Sequence, residues 1–486
     1  MSEVPAAGAS GVATGGAFEK KGLAWAVFEW ARNPYYILIV IYVFAPYLGG
    51  VVGTEMAANG AFGDLQGDEL RKAAGAAGQA SIASITKTAG LIAAPTVPLL
   101  GAMLDRGGRR KPLLIILLGI IATMSWLLWY VEPDGSGLSV SAAMTVLVIA
   151  YVSYTYSEVT HNAMLNANGR PSALPMISGL GLSLGNLAAM LLLLCLVLAF
   201  AFPALTGWPF SEPLFGIDVS RSEHLRLAGP ICAIWLIVFS IPFFMYSEDG
   251  GTRGANWLLA LKKGMHSLVT TFKRASDNKE ILKYLGARML YADGMAALLT
   301  LGGVFIGLYL QWNVVELSTY AIIGSLFAFF GGILGGVLDN RLGPKLALVL
   351  EISAMILVLA FQLSITPDTI LFGLFPSYQV WDGPIFNTLS DLVYLSSALF
   401  LAITATASIS SSRSMLVHMA PPERVGEFFG LYSICGNVTV WLGPLMVEIF
   451  TVMSGSQRVG MSAIGLLFFL GLMVLLTVNA KRPGAT

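Results

Sequence analysis

Two short stretches of the sequence repeat each other and decide the fold. Residues 101–110 read GAMLDRGGRR, and residues 335–345 read GGVLDNRLGPK. The aspartates of the two copies, Asp105 and Asp339, lie 234 residues apart, which is close to half of the 486 residues. Duplicated segments at this spacing are typical of secondary transporters, which are built from structural repeats.

The chemistry of the repeat suits a gate at a membrane surface. Its small residues let two helices approach closely. Its Asp ends a helix, where it pairs with the clustered cations or meets the positive N-terminal end of a helix from the other half. Such an ion pair would act as a latch that breaks and reforms as the two halves of the protein move. Alternatively, the charges are solvated and only set the orientation of the chain in the membrane. The candidate gating residues are Gly101, Asp105, Arg106, Arg109, Arg110, Asp339, Arg341, Lys345, Arg413 and Glu427.

Composition places the chain in a membrane. Hydrophobic residues make up 56% of the sequence and charged residues 12%, against about 25% charged in ordinary soluble domains. This excludes a soluble globular enzyme, a disordered protein and a disulfide-stapled secreted domain. The 28 basic residues balance 28 acidic ones, so no nucleic acid is expected as a partner. Cys195, Cys232 and Cys435 lie in apolar runs without metal-ligand spacing and are interpreted as buried thiols.

Twelve apolar runs approach the length of about 20 residues that spans a bilayer, which predicts an all-α integral membrane protein. An N-terminal bundle (22–247) and a C-terminal bundle (284–479) are joined by a cytoplasmic linker (248–283) with an amphipathic surface helix. Tails are expected at 1–21 and 480–486. The predicted spans are 22–46, 80–103, 112–131, 140–163, 175–202, 228–246, 284–310, 316–338, 345–365, 391–412, 427–452 and 459–479.

The distribution of Lys and Arg predicts the orientation. If both termini are cytoplasmic, 20 of the 28 basic residues fall in cytoplasmic loops or tails and six fall outside. The segments 47–79, 203–227 and 366–390 are then expected to be outer loops. Short loops and a short tail favour a bacterial inner membrane over a vacuolar one.

Further motifs resemble one family of the major facilitator superfamily, the UMF group that includes the vacuolar amino-acid effluxer of autophagy. Residues 95–112 are similar to its signature between the second and third helices. The stretch WAVFEWARNP at 25–34 resembles W-A-x-x-D-W-A-N-S, from which Glu29 and Arg32 depart. The other matching motifs are HNAML at 161–165, SGLG at 178–181, YADG at 291–294, SRS at 412–414, EFFGLY at 427–432 and LGP at 442–444.

The resemblance implies a major facilitator fold of twelve transmembrane helices in two six-helix bundles that work by alternating access. It also implies that spans one, four, seven and ten line a central cavity. An amino-acid-like solute that is exported is the first expectation.

A polar stripe marks span one, independently of the resemblance. Glu29, Arg32 and Tyr36 follow one another at spacings of three and four, so they share a helix face. Glu29 and Arg32 are expected to pair within the helix. Because ionisable side chains are costly in lipid, the pair either binds solute or protons in the cavity or is a structural ion pair near the helix end.

A second stripe marks span four. Tyr154, Glu158 and His161 share one face, with Asn162 beside it. Since histidine titrates near neutral pH, Glu158 and His161 are interpreted as a proton-relay pair. A salt bridge at the helix end is the alternative.

The second half carries a similar set of polar residues. Arg288 and Tyr291 share a face of span seven, and Asp293 is expected either to couple protons or to bond a neighbouring helix. A serine in a membrane span often donates to a backbone carbonyl of its own helix instead of binding solute. For the polar residues of span eleven, helix packing is the alternative to a role in binding. The remaining candidates are Ser408 in span ten and Asn437 and Trp441 in span eleven.

These observations predict secondary active transport of a small polar organic solute. An amino-acid-like solute and proton coupling through Glu29, Glu158 or Asp293 are expected. The partners would be the solute, membrane lipids and protons, bound by a monomer without cofactor or metal. A sugar or glycoside symporter and a non-transporting receptor on the same fold remain open.

One motif points to catalysis but has the wrong context. Residues 181–185 read GLSLG, which matches the nucleophile elbow of hydrolases. That elbow follows a strand, whereas this stretch lies in an apolar helix. Gly181 and Gly185 are therefore interpreted as a face for close helix packing, and no enzyme is predicted.

Overall fold

The computed structural model describes residues 19–106, 109–169, 174–250, 278–420, 431–432, 435–436 and 439–480. Most of these residues are helical. The first part contains α1 (Lys20–Pro34), α2 (Phe44–Ala58), α3 (Gly67–Arg106), α4 (Arg110–Leu127), α5 (Val140–Ala163), α6 (Leu174–Leu196), α7 (Phe202–Thr206), α8 (Glu223–Arg226) and α9 (Ala228–Tyr246). The second part contains α10 (Lys279–Phe305), α11 (Val314–Leu342), α12 (Pro344–Leu363), β1 (Thr369–Ile370), β2 (Phe375–Pro376), α13 (Leu389–Met419), α14 (Leu442–Ser454) and α15 (Gln457–Leu476).

Ten helices in the described part of the chain are long and apolar enough to cross a membrane. The spans predicted at 140–163 and 228–246 coincide with α5 and α9. The second predicted span lies within the 40-residue α3. The eleventh corresponds to the shorter α14, and part of it lies outside the described residues. Most of the linker predicted at 248–283, residues 251–277, also lies outside them.

The outer loop predicted at 47–79 is wrong. The structure continues α2 to Ala58 and begins α3 at Gly67, so residues 59–66 alone connect the two helices. Charged and small residues lower the hydropathy of both segments, which hides them from a search for apolar runs.

Close backbone contact stabilises these two helices instead. A Cβ atom on Gly78 would lie 2.2 Å from the carbonyl oxygen of Gly49, and one on Gly53 would lie 2.5 Å from that of Ala74. Only glycine permits such an approach, which is how helices associate in lipid. The glycines therefore fix the angle at which α2 crosses α3.

Within the described residues, three spanning segments contain a π-helical stretch. These are Tyr35–Tyr42, Val197–Ala201 and Ile306–Leu310. The first follows Pro34, which lacks an N–H and cannot complete the regular helical ladder. This π-helical stretch begins just after Arg32. Because π-bulges occur often at functional sites, its position makes the end of α1 a candidate functional region.

In both halves, a lysine at the start of one helix caps the C-terminal end of a neighbouring helix. Lys111 at the start of α4 donates to two carbonyl oxygens at the end of α9, at 2.9 and 2.5 Å. Lys345, 234 residues later, donates to two at the end of α15, at 3.1 and 2.7 Å. A cation there satisfies carbonyls that the helix leaves free. The acceptors are Phe244, Ser247, Leu476 and Val478. We call this side, where α1 begins and α15 ends, the terminus side, and the other the far side.

Polar contacts join the two halves on the far side. Gln79 of α3 donates to the hydroxyl of Thr451 at 3.0 Å and to the carbonyl of Gln457 at 3.1 Å. Lys87 of α3 lies 2.6 Å from a carboxylate oxygen of Glu448 on α14. The helices α3 and α14 therefore seal the far side between the halves.

A glycine contact adds to this seal. A Cβ atom on Gly303 of α10 would lie 2.4 Å from the carbonyl oxygen of Ile41. The first spanning segment of each half thus meets the other backbone to backbone, without side chains between them. Any larger residue at this position would push the halves apart.

The far-side loops are tied together by ions and a short sheet. Glu132 accepts from Arg221 and lies 3.6 Å from Arg226. The hydrogen bond from Arg221 lowers the pKa of Glu132 below its usual range. In the loop 366–390, β1 pairs antiparallel with β2.

One cysteine departs from the sequence interpretation. Cys232 is buried and Cys435 is half-buried, but Cys195 is exposed on α6. Its neighbours Leu191 and Leu194 are exposed as well. This apolar face of α6 is suited to lipid, where a thiol behaves as a small hydrophobe.

The glycine contact generates a prediction with a matched control. Gly303→Ala should lower the midpoint of thermal unfolding in detergent relative to Gly302→Ala, because only the first places a methyl group against Ile41. Overpacking of this kind costs about 1–3 kcal/mol. Both substitutions change helix propensity equally, so their difference isolates the contact. Equal midpoints would show that the halves do not touch at this point.

Candidate functional site

An ion pair inside α1 forms the centre of the candidate site. Nη2 of Arg32 donates to both carboxylate oxygens of Glu29, at 2.8 and 2.9 Å. The guanidinium is buried, with 3% of the side chain exposed. The predicted pairing is therefore present, and it neutralises a charge that would be costly in a membrane helix.

His161 of α5 lies on the other side of the Glu29 carboxylate. Its Nδ1 is 3.2 Å from Glu29 Oε1, and its Nε2 is 3.0 Å from the carbonyl oxygen of Trp25. The imidazole stacks on the Trp25 ring, with 4.1 Å between centroids. Both ring nitrogens thus face acceptors, and only the doubly protonated imidazolium donates to both.

Glu158 does not form the predicted pair with His161. Its Oε2 lies 3.8 Å from Nη1 of Arg32, and 49% of its side chain is exposed. Although Glu158 and His161 are one turn apart, the stacking on Trp25 turns the imidazole toward Glu29. The result is a row of alternating charge: Glu158, Arg32, Glu29 and His161.

Tyrosines of α5 and of the π-helical stretch Tyr35–Tyr42 line the same contact. Arg32 lies over the Tyr154 ring at 4.5 Å from its centroid, a favourable cation–π position. Tyr36 stacks on Tyr154 at 5.4 Å and on Tyr151 at 6.3 Å. The two predicted stripes therefore face each other. Asn162 is exposed next to them.

The glycines of the GLSLG stretch bring α6 against this ion pair. A Cβ atom on Gly181 would lie 3.4 Å from Glu29 Cγ, and one on Gly185 would lie 3.2 Å from the carbonyl oxygen of Glu29. The predicted packing face is confirmed. It screens the Glu29 carboxylate from lipid and leaves no room for hydrolase geometry.

Arg288 occupies a comparable place in the second half. Its Nη1 donates to the carbonyl of Tyr432 at 2.7 Å, and its guanidinium lies 3.4 Å from the centroid of the Tyr432 ring. A Cβ atom on Gly436 would lie 2.9 Å from Nη1. Again a glycine admits a cation from the first spanning helix of the half.

Three tyrosine hydroxyls converge on one serine beside Arg288. Ser412 Oγ lies 2.9 Å from the hydroxyl of Tyr284, 2.6 Å from that of Tyr291 and 3.1 Å from that of Tyr432. Tyr291 thus belongs to a hydrogen-bonded cluster and not to a free cavity wall. Sequence reasoning did not select Ser412, although it lies in the matched SRS motif.

Asp293 bonds a neighbouring helix. Its Oδ2 accepts from the backbone N–H of Gly443 at 3.0 Å, at the start of α14, where a carboxylate is favoured. Its Oδ1 is buried and has no hydrogen-bond partner in the described part of the chain. This contact fits the structural alternative for Asp293.

The remaining candidates of spans ten and eleven lie elsewhere. Ser408 is fully buried and donates to the carbonyl of Ala405 at 2.8 Å, as expected of a serine that satisfies its own helix. Trp441 precedes α14 and packs on Gly90, whose Cβ atom would lie 2.9 Å from Trp441 Cα. Asn437 lies outside the described residues.

The structure describes some of the gating candidates. Arg110 donates to the carbonyls of Ala163 at 2.6 Å and Leu104 at 2.8 Å, so it ties the ends of α3 and α5 together. Arg109, Arg341 and Arg413 are exposed. Gly101 lies on α3. The side chains of Asp105 and Arg106 and all of Glu427 fall outside the described atoms, so the latch between halves stays a prediction.

Two charged features were missed by sequence reasoning. Lys87 and Glu448 join the halves, and Glu351 of α12 is buried with 3% exposure. Glu351 is detectable in principle, because it is an isolated charge within the span predicted at 345–365. Lys87 was placed in span two but was counted only for orientation.

Comparisons with known proteins agree with this architecture. The family model described as "Vacuole effluxer Atg22 like" matches residues 172–485. The uncharacterized MFS-type transporter YxiO of Bacillus subtilis (strain 168) is 22% identical over 478 residues, which cover 94% of each chain. Autophagy-related protein 22 of Coccidioides immitis (strain RS) is 25% identical over 68% of this chain and 54% of its own. The chain spans about half the length of the fungal relatives it matches.

Solved structures show the fold. The D-xylose-proton symporter superposes with a TM-score of 0.59 at 12% identity, covering 96% of this chain and 99% of that one. The nucleoside transporter NupG gives 0.56 at 15% identity, covering 95% and 100%. The fold is therefore the major facilitator fold expected from the sequence, an all-α integral membrane protein of two six-helix bundles.

The row of charges generates a prediction about stability. Glu29→Gln should lower the free energy of unfolding by about 3–5 kcal/mol, because it leaves a buried guanidinium without its carboxylate. Glu158→Gln is the matched control and should cost about 1 kcal/mol or less, since that carboxylate is half-exposed. Thermal unfolding of the purified variants in detergent measures both. Equal losses would mean that the two carboxylates do not differ in structural role.

Proposed function

The chain belongs to the vacuole effluxer Atg22-like family of major facilitator transporters, and we propose that it moves a small zwitterionic solute of the amino-acid class, coupled to protons. It is an integral membrane protein that binds a small molecule. The proposal concerns the solute, the coupling ion and the residues that serve them.

One observation carries the proposal for the solute. Nη2 of Arg32 is taken by Glu29, but Nε and Nη1 have no hydrogen-bond partner among the described residues. Nε–H lies on the side of Nη2 and Nη1 lies on the other side of the guanidinium, so each is a separate donor to which a ligand oxygen could bind. Buried donors are rarely left unpaired, so a ligand carboxylate is the partner we propose.

Glu158 supplies the complementary charge. It lies 3.8 Å from Arg32 Nη1 with half of its side chain exposed, so it is free to turn toward a ligand. An amino acid presents a carboxylate and an ammonium group a short distance apart. Arg32 would bind the first and Glu158 the second, and a solute lacking either group would leave one charge unsatisfied.

Proton coupling is proposed for His161 and Glu29. With a neutral imidazole the row Glu158, Arg32, Glu29 and His161 carries one net negative charge, and with an imidazolium it carries none. Since net charge is costly in a membrane protein interior, protonation of His161 would ease the movement of the halves around the row. Asp293 is the alternative carrier.

The cellular setting is also a proposal. We propose that both termini are cytoplasmic, in a bacterial inner membrane, because basic residues are in excess on the terminus side. A single chain would suffice, because both bundles of the fold are present in it. Membrane lipids would surround the exposed apolar faces.

A second candidate solute is a sugar or glycoside. The observation in its favour is the stack of Tyr36, Tyr151 and Tyr154 beside the charges, because aromatic faces bind rings with an apolar side. A sugar would leave the Nε and Nη1 groups of Arg32 without a carboxylate, which is why we favour the zwitterion.

The first functional prediction concerns coupling. In proteoliposomes, an imposed pH gradient should drive uptake of a labelled amino acid, and Glu158→Gln should reduce that flux by at least about tenfold, which corresponds to roughly 1.4 kcal/mol. Glu69→Gln, an exposed carboxylate at the start of α3, is the control and should transport normally. Flux that ignores the pH gradient would rule out proton coupling, and normal flux in Glu158→Gln would remove that residue from the site.

The second functional prediction concerns the solute class. Competition by an amino acid should exceed competition by its carboxamide or by the corresponding amine, because only the amino acid satisfies both Arg32 and Glu158. The difference should disappear in Arg32→Lys, which keeps the charge but loses the planar guanidinium with its Nε and Nη1 donors. Stronger competition by a free sugar than by any amino acid would favour the second candidate.

A further inference from the structure

The loop that joins α12 to α13 exposes a compact group of large apolar side chains on the far side. Phe372 is 74% exposed, Leu374 76% and Phe375 56%. We call residues 371–375, at the turn between β1 and β2, the aromatic tip. Exposed apolar side chains that adjoin one another mark a surface that binds something other than water.

Two contacts fold the aromatic tip back against the ends of two spanning helices. The backbone N–H of Phe372 donates to the carbonyl of Ser364, directly after α12, at 3.0 Å. The guanidinium of Arg458, in the first turn of α15, lies 5.6 Å from the centroid of the Phe372 ring. Arg458 also donates to the carbonyl of Leu363 at 2.8 Å. The tip is therefore held at the level where α12 ends and α15 begins, which is the edge of the membrane-spanning part.

The backbone of the tip is bent in a way that contacts inside the protein do not offset. Leu371 and Phe372 have φ angles of 54° and 55°, a left-handed conformation that residues other than glycine rarely adopt. Burial of the side chain could stabilise such a bend, but Phe372 stays largely exposed. Strained loop conformations of this kind are typical of functional segments.

Exposed apolar side chains of the neighbouring helices continue the surface of the tip. Val459 follows Arg458 on α15, and Leu357 lies within two turns of the end of α12; both are exposed. The two helices pack against each other, and each is long and apolar enough to span a membrane. Exposed apolar side chains on such helices face lipid. The tip thus lies where a lipid-facing surface of the second half ends.

The composition of the loop fits the layer in which acyl chains meet headgroups. Aromatic residues are enriched in that layer, and the same loop exposes Tyr378 and Trp381 as well. Residues 366–390 contain Asp368 and Asp382 but no Lys or Arg. Attraction to anionic headgroups, which requires cations, therefore cannot hold this loop at a membrane, whereas burial of its apolar side chains can.

The size of the tip argues against a protein partner. A whole aromatic side chain contributes roughly 200 Å² of surface. Phe372, Leu374 and Phe375 together therefore offer well under the roughly 800 Å² that each partner of a stable protein complex buries. A lipid bilayer has no such minimum, because it accommodates single apolar side chains.

The long far-side loop of the first half has a comparable arrangement. Phe215 is 89% exposed and has a φ angle of 61°. Its ring lies 6.3 Å from that of Phe200, at the far-side end of the span that contains α6. Each half thus folds an exposed phenylalanine back onto the end of a spanning helix, although the two loops differ in sequence.

The undescribed parts of the chain do not adjoin the tip in sequence. One group of them is flanked by residues on the terminus side: 1–18, 107–108, 170–173, 251–277 and 481–486. The others fall between the terminus-side end of α13 and the start of α14: 421–430, 433–434 and 437–438. The loop from α12 to α13 is described throughout, and its exposed side chains are those of a complete far-side segment.

We propose that the aromatic tip inserts into the interfacial layer of the bilayer leaflet on the far side. Phe372, Leu374 and Phe375 are the inserted side chains, and the partner is lipid of any headgroup charge. The tip then anchors the far-side ends of α12 and α15 at a fixed depth. This role is independent of the solute and of the coupling ion.

The test measures the surroundings of the tip directly in the full chain. A nitroxide label on Leu374→Cys, in a parent whose three native cysteines are replaced by alanine, is placed in nanodiscs of zwitterionic lipid. Its collisions with oxygen and with a water-soluble nickel chelate are compared by electron paramagnetic resonance. Leu357→Cys on the exposed face of α12 is the lipid control, and Asp64→Cys, exposed in the connector 59–66, is the water control.

The label on Leu374→Cys should resemble the lipid control. Its ratio of oxygen to chelate collisions should exceed that of Asp64→Cys by at least about threefold, because a polar chelate is excluded from an apolar layer. A ratio equal to that of Asp64→Cys would overturn the proposal. Phe375→Cys provides a second position in the tip if the first variant does not purify as a folded protein.

Two further outcomes separate lipid insertion from other kinds of contact. The ratio should not change when anionic lipid is added, since the loop has no cation; a high ratio found only with anionic lipid would contradict insertion driven by apolar burial. With two chains in each disc, the spectrum should show no broadening from a second label. Broadening, together with exclusion of both probes, would assign the tip to a contact between copies of the chain and overturn the assignment to lipid.

Discussion

A buried guanidinium in the first membrane helix is the constraint on which the candidate site depends. Arg32 is tolerated there because Glu29, one turn away on the same helix, neutralises it before any other helix is added. Gly181 and Gly185 then allow α6 to cover the pair, and α5 brings His161 to the free side of the carboxylate. The ion pair thus orients two neighbouring helices. Nη1 of Arg32 lies 3.8 Å from the carboxylate of Glu158, which is half-exposed.

The contacts between the halves are suited to a structure that must open. The ion pair of Lys87 with Glu448 is partly exposed, and pairs of that kind contribute about 1 kcal/mol or less. The glycine contact at Gly303 depends on surface fit and not on interlocked side chains. Neither contact is strong enough to prevent separation of the far side. By contrast, contacts within each half, such as those of Lys111 and Lys345, tie helix ends that move together.

The sequence predicts the parts of this molecule that follow from periodicity and charge. The repeat around Asp105 and Asp339, the apolar runs and the pairing of Glu29 with Arg32 all follow from local spacing, and the structure contains them. The predicted loop at 47–79 fails because glycine-mediated contact stabilises helices that hydropathy does not detect. The partner of His161 could not be read from α5 alone, since stacking on Trp25 decides which way the ring turns. Glu351 was passed over because the sequence was searched for stripes of polar residues on one helix face, and a single charge in an apolar span forms no stripe.

The two halves retain the same helix ends but differ in their interiors. Lys111 and Lys345 bind the same kind of carbonyl at equivalent positions, so the frame of the repeat is preserved. Inside that frame the first half holds the row of charges from Glu158 to His161, whereas the second holds the tyrosine cluster on Ser412 and the carboxylates of Asp339 and Glu351. A frame that is symmetric allows both sides of the membrane to be reached by equivalent movements. An interior that is asymmetric gives the two halves different groups with which to contact a ligand.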